Sequence, residues 1–300
     1  MRLRRLVFAN RFSAFGFVTV CAFCFLAFAE GVTGSRLTPY PFREINLLEA
    51  NSPPSLLHPF GTNFEGSDIL SLVLAALPLD IGAPLLIVLA ASTIGLIVGT
   101  MAGYFRGWVE EVVMRLTDLF LAFPTFIMVL AVAATVGPSL PYAIGAIVAV
   151  WWPPYVRLVR GSVLSISKED FVAISKTLNS RFRYILTKDI FPNVLPSLLV
   201  YATVDVGTAL LSLSTLGYLG VGIPPQTPEL GVMVASISNN LYTYPWEALL
   251  PALMVLLIVA GFGFLGEGLR ETLDVKVRPH LVTRRVEFEQ KVDSGSSPKG

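Results

Sequence analysis

The chain alternates between long apolar runs and shorter polar stretches, and that alternation sets the first expectation. Six runs read as helices of membrane-spanning length, over residues 10–30, 80–104, 113–136, 140–158, 194–221 and 246–268. A hydrocarbon core of about 30 Å is crossed by roughly 20 residues of helix, and these runs approach or exceed that length. The fourth run, "LPYAIGAIVAVWWPPYVRLV", carries Pro153 and Pro154 near one end, which predicts a kink or a stop there because two backbone donors are lost.

One polar stretch has a pattern of its own. "KEDFVAISKTLNSRFRYILTKDIFPN", Lys168 to Asn193, lies between two apolar runs and carries basic and acidic residues together. "SKED" (Ser167 to Asp170) fits a capping box, and Glu169 and Asp170 suit the first turn of a helix. Phe171, Ile174 and Leu178 follow at three- and four-residue steps and form one apolar stripe. Asn179 is a residue type that tolerates the left-handed conformation and so predicts a stop, with Ser180 capping a second short helix that ends at Pro192. Two readings of this helical hairpin stand. It is an amphipathic connector lying on a membrane surface, or an element that docks its apolar stripe in a groove of a partner.

Two further segments lie between the runs. The stretch 31–79 is long, and "SPP" within it argues against regular structure at that point. "VGIPPQTPELGVMVASISNNLYTYPW" holds Pro224, Pro225 and Pro228 and then an apolar stretch too short to span, read as a re-entrant or surface helix. The basic amino terminus and the first run resemble a signal peptide ending at "AFA" (Ala27 to Ala29). The run is long for that purpose, so a retained signal-anchor is expected. After 275 the chain is polar and ends "DSGSSPKG", which predicts disorder.

Composition narrows the class. Charged residues make up 14% of 300 and hydrophobic residues 54%, too little charge to cover a soluble domain of this size. Lys and Arg place the loops. With the amino terminus inside and six crossings, twenty of the 22 basic residues fall on the inner side, leaving only Arg36 and Arg43 outside. That asymmetry predicts a multi-pass protein with both termini in the cytoplasm and a cytoplasmic hairpin. The basic residues are scattered along loops, and nothing points to nucleic acid.

Candidate chemistry is sparse. Cys21 and Cys24 have the spacing of a metal or redox pair but lie inside an apolar run, and His58 and His280 fall in different loops, so packing and loop roles are expected and no metal site. No Gly-rich loop ending in Lys-Ser/Thr is present, so ATP binding by this chain is not expected. Among acids within the runs, Asp118 is one turn from Arg115 and reads as a local ion pair or helix-end anchor in preference to a pathway group. Asp205, among small and hydroxyl residues, either faces a pathway or bonds a neighbouring helix, and Glu267 reads as interfacial. Gly95, Gly99 and Gly103 form a small-residue stripe that lets helices approach, within this chain or against a partner subunit.

The motifs resemble a known family. The hairpin looks like the cytoplasmic coupling loop of ABC importer permeases, and the chain is similar to the C-type membrane subunit of dipeptide and oligopeptide importers. "RLRRLVFANRFSAFG", "HPFGTNFEGSDILS", "GYFRGWVEEVVMRLTDLFLAFP", "YVRLVRGSVLSI", "FPNVLP" and "LGYLGVGIPPQTPELG" carry the resemblance in order over more than two hundred residues. It departs from the family pattern at Ala173, Ile174 and Ser175, which stand for Glu-Ala-Ala, and at Asn179, which stands for Gly. Glu169 or Asp170 is then available as the acidic group. Gly66-Ser67-Asp68 stands for Gly-Arg-Asp, and Leu230 for Trp.

The resemblance implies an all-α polytopic membrane protein, with six transmembrane helices of the type I ABC importer permease fold and a coupling-helix hairpin. Residues 1–35 would hold the first helix, 36–79 an extracytoplasmic loop, and 80–272 a five-helix core. That core would include a coupling loop at 161–192 and an outer loop at 222–245, leaving 273–300 as a cytoplasmic tail. It further implies a homologous second permease, two cytoplasmic ATPases that use ATP and Mg, and an extracytoplasmic solute-binding protein. The setting is the lipid of a bacterial or archaeal cell membrane. Substrates in the family are peptides, oligosaccharides or nickel. ATPase contacts would fall at Glu169, Asp170, Phe171, Ala173, Ile174, Ser175, Leu178, Asn179 and Phe182.

Three rival classes remain. An ion-coupled secondary transporter needs mid-membrane acids, and only Asp205 fits. An intramembrane protease needs catalytic groups inside spans, and neither histidine lies in one. A structural scaffold would tolerate polar substitutions along the hairpin stripe.

Overall fold

The computed structural model describes residues 10–34, 37–42, 44–178, 180–237 and 240–274. The fragment "RLRRLVFAN" up to residue 9, Arg36, Arg43, Asn179, Asn239, the side chain of Lys176, His280 and the tail from 275 lie outside the described residues. The regular structure among the described residues is helical, apart from one isolated bridge between Thr62 and Asp68. Among the described residues five helices are long and apolar enough to cross a bilayer, or six spans if one sharply bent pair counts as one.

Helix α1 spans Arg11–Thr33 and closes at Gly34, whose φ of 61° suits the left-handed stop and whose N–H reaches Glu30 O at 3.0 Å. Helix α2 spans Ile69–Phe105, beginning well before the expected residue 80. Its early start has a local cause. Asp68 caps it, accepting from the Ser71 N–H at 2.8 Å and the Ser71 hydroxyl at 2.7 Å.

The expected third span is broken. Helices α3 (Gly107–Leu121) and α4 (Thr125–Val136) meet at 85°. Pro124 lies at the break as the cap of α4, lacks a donor, and disfavours helical geometry in the residue before it. The fourth run behaves oppositely. Helix α5 (Leu140–Trp151) passes into α6 (Pro153–Ile166) with only Trp152 between, itself at helical angles, and the Val156 N–H bonds Trp152 O at 3.2 Å. Both prolines occupy first-turn positions, where a missing N–H does no harm. The span therefore runs on past the expected end at 158 to Ile166.

The hairpin holds α7 (Asp170–Thr177) and a single turn, α8 (Phe182–Tyr184). A π-helical run at Ile185–Ile190 then leads into α9 (Phe191–Tyr218). The expected stop at Pro192 does not occur, because that proline also lies in a first turn. A short helix, α10 (Leu230–Ser236), buried at Leu230 and Gly231, precedes α11 (Pro245–Asp274).

Two seams of small residues join the long helices. On α2, Gly95 lies against the Tyr155 Cβ, and a Cβ added at Gly99 would fall 2.7 Å from the Val156 carbonyl. One added at Gly103 would fall 2.9 Å from the Val163 Cβ. The glycine stripe thus packs on α6 of the same chain, with the two helices running parallel, which settles which neighbour it meets. Gly95→Ala forces this seam apart, and we expect it to lower stability by about 1–3 kcal/mol, read as an earlier thermal unfolding midpoint in detergent. The second seam joins α1 to α11 antiparallel. A Cβ at Gly16 would come within 2.6 Å of the Leu265 nitrogen, Gly261 lies against Thr19, and Gly268 against Ser13. Cys21 is exposed and Cys24 half-buried on α1, and both are free thiols.

Candidate functional site

The hairpin presents its apolar residues outward. On α7, Val172 is fully buried (0% exposed), while Phe171 (42%) and Ile174 (58%) on that helix and Leu178 (74%) just past its end are open. The buried valine seats the helix against the Ile185–Ile190 run that follows it and leaves the other face unpartnered. Glu169 and Asp170 are exposed at its start, Ala173 is exposed, and Ser175 is half-buried. Phe182 differs from the other expected contacts. Its ring packs on the end of α2, with centroids 4.8 Å from Tyr104 and 5.3 Å from Phe105.

The caps of the hairpin are not those expected. Ser167 terminates α6, with its N–H on Val163 O at 2.9 Å, and its buried hydroxyl has no hydrogen-bond partner. The chain turns through Lys168 instead, and the backbone carbonyl of Glu169 accepts from Val172 and Ala173. The capping box therefore does not form. Ser180 does not cap the second helix either, since Arg181 holds that position without a side-chain bond.

The ion pairs also differ from the sequence reading. Arg115 pairs with Glu111 at 2.6 Å, and Asp118 pairs across helices with Arg157 at 2.6 Å. Glu110 meets Arg160, whose Nε lies 2.7 Å from the carboxylate. Asp118 is thus an inter-helix link from α3 to α6, because the bend at Pro124 lays α3 across α6 in place of a straight span. Both members of the Asp118 pair are more than half exposed, so it is worth no more than about 1 kcal/mol. Glu267 lies 3.9 Å from Arg270, also at the surface.

Asp205 is buried between helices. Its Oδ2 accepts from the Trp151 indole N–H at 2.7 Å and from the Tyr155 hydroxyl at 2.6 Å, tying α9 to α5 and α6. The Tyr201 ring stands edge-on to Tyr155 at 5.0 Å.

A second acidic group escaped the sequence reading. Asp80, inside α2, accepts from the Leu230 N–H at 3.1 Å, and Glu229 accepts from the Ser214 hydroxyl and the Val232 N–H, each at 2.8 Å. These bonds fasten α10 against α2 and α9, and Gly217 and Gly231 give it the room to approach. The signal was a lone aspartate in "LPLDIG", a charge inside an apolar run. His58 was read as an ordinary loop residue but is buried. Its Nδ1 lies 2.9 Å from Asp68 and its Nε2 3.3 Å from Glu49, with the Tyr40 ring tilted over it at 4.7 Å. The loop before α2 is therefore a compact cap.

Comparison with known proteins agrees with this architecture. Residues 93–279 match the profile of the binding-protein-dependent transport system inner membrane component. A dipeptide transport system permease protein of Alkalihalophilus pseudofirmus is 33% identical over 90% of this chain and 87% of its own length. A probable D,D-dipeptide transport system permease protein of Escherichia coli is 37% identical over 77% of this chain and 78% of its own. A glutathione transport system permease protein of Escherichia coli is 32% identical over 87% of this chain and 86% of its own. Among solved structures, an inward-facing MetNI methionine ABC transporter superposes with a TM-score of 0.56, covering 67% of this chain and 96% of that one, at 18% identity. That likeness concerns the fold. The relatives are transport permeases and not enzymes, and nothing here favours an ion-coupled carrier. The chain belongs to the family of binding-protein-dependent transport system inner membrane components, as a multi-pass permease subunit of an ABC importer.

Proposed function

We propose that this permease forms half of a pathway for peptides or a related small solute, and that its hairpin receives the motion of a separate ATPase. The supporting observation is the exposed stripe of α7, Phe171, Ile174 and Leu178, backed by the buried Val172. An apolar helix face with charge at its rim suits a helix-in-groove contact. On this reading the other half of the pathway is a homologous second permease. Two ATPases bind and hydrolyse ATP with Mg, and an extracytoplasmic binding protein delivers substrate. Glu169, Asp170, Ala173, Ser175 and Asn179 flank the contact, and both termini lie in the cytoplasm, following the distribution of Lys and Arg.

The names of the relatives support a peptide over an oligosaccharide or nickel. Phe182 acts from behind the docking surface, because its ring packs on α2. The test is reconstitution of the four-subunit core with a binding protein in vesicles. Uptake of a labelled dipeptide that requires internal ATP and persists without ion gradients supports the proposal. Uptake driven by a gradient without the ATPases overturns it.

A further inference from the structure

The buried stripe on the helix leaving the hairpin contains one irregular step. Ile190, Val194 and Leu198 follow at intervals of four, as one face of an α-helix does, but Ile185 lies five positions before Ile190. At 3.6 residues per turn, five steps would rotate a side chain by about 140°, so the two isoleucines could not share a face. Both are buried nonetheless, because Ile185–Ile190 winds as a π-helix in which the Phe191 N–H reaches back five residues to Leu186 O. Such runs are rare and are often found at functional sites.

The surroundings of this run are unequal. Just before it, Phe182 is held against Tyr104 and Phe105 at the end of α2. After it comes α9, fixed to the bundle by Asp205 and by close packing of Gly207 on Val259 of α11. Within it, the Asp189 Oδ2 is buried with no hydrogen-bond partner, while the Asn193 amide donates to the Asp189 carbonyl at 2.7 Å. A buried carboxylate oxygen left unmatched in one arrangement is a strain that a second arrangement can relieve. Thr187 and Lys188 are exposed, so the outer side of the run is free of packing.

We infer that Ile185–Ile190 is the flexure of the hairpin. Displacement of α7 is absorbed by exchange between π and α hydrogen bonding in this run, while the Phe182 ring carries the same displacement to the end of α2. The inference rests on the hairpin being the ATPase contact. Its failure is separable from that reading, because binding and transport are measured independently.

Deleting Thr187 tests it. The deletion brings Ile185 and Ile190 to a four-residue step, so the same buried stripe continues in unbroken α-helix and the hairpin keeps its aim. In the complete importer in proteoliposomes, the variant is expected to retain the ATPases on co-purification and to hydrolyse ATP. Dipeptide uptake should fall about tenfold or more. Uptake within about twofold of the parent protein overturns the inference. So does a folded permease that loses its ATPases, because the run would then aim the hairpin and not bend. A parent complex that never retains ATPases refutes the docking reading itself.

If the deleted chain does not insert, hydrogen exchange on the unaltered complex decides. Amides of residues 186–191 should change protection by about tenfold between nucleotide-free and ATP-bound states, while those of 194–204 stay constant. Equal protection of 186–191 in both states overturns the flexure.

Discussion

Leu178→Asp is expected to abolish ATP-driven uptake while leaving the permease folded and inserted. The side chain is 74% exposed in the isolated chain, so the substitution breaks no internal packing. In an apolar groove the same carboxylate would be desolvated without a partner. A loss of about 3 kcal/mol of binding is the order expected for a central contact, roughly a hundred-fold in affinity. Co-purification of ATPase with tagged permease, read beside uptake, measures both consequences. Leu178→Met, similar in volume and apolar, should retain uptake. Val172→Asp should behave differently, failing at the level of folding, because Val172 is buried where α7 packs on the Ile185–Ile190 run. Full uptake by the Leu178→Asp protein would remove α7 as the contact.

Asp205→Ala should give the largest loss of stability among single substitutions in the spans. It strands two buried donors at once, the Trp151 indole N–H and the Tyr155 hydroxyl. Hydrogen bonds between membrane helices average only about 0.6 kcal/mol, but unmatched buried donors cost about 1–3 kcal/mol each, so the second effect dominates. A total of about 3–5 kcal/mol is expected, seen as a lower unfolding temperature in detergent. Asp205→Asn keeps an acceptor oxygen in place and should cost much less. A double-mutant cycle with Tyr155→Phe should show strong non-additivity. Unchanged stability with lost uptake would instead make Asp205 a pathway group.

Much of this was legible in the pattern of residues. Hydropathy located the long helices because a bilayer sets a minimum apolar length for each span. The three- and four-residue spacing of Phe171, Ile174 and Leu178 located the exposed stripe. What escaped depended on neighbours that a linear pattern does not contain. Pro124 and the Pro153–Pro154 pair are alike in sequence, yet one marks a right-angle bend and the other opens a continuing helix, because the pair falls where no donor is needed. Asp118 was assigned to the nearest cation along its own helix, and the bend delivered a different one from α6. Asp80 and Glu229 were not singled out at all, because what joins them is the backbone of α10, which brings residues 80 and 229 together only in the folded chain.

The seam between α1 and α11 bears on how the protein is made. Gly16, Gly261 and Gly268 admit the opposite helix so closely that neither surface is complete without the other. Helix α1 precedes α11 in the chain, so its small-residue groove waits unfilled in the lipid until α11 has been made. Closure of this groove therefore joins segments more than two hundred residues apart, and a chain lacking α11 would keep α1 against α2 but leave the glycine face of α1 unfilled in the bilayer.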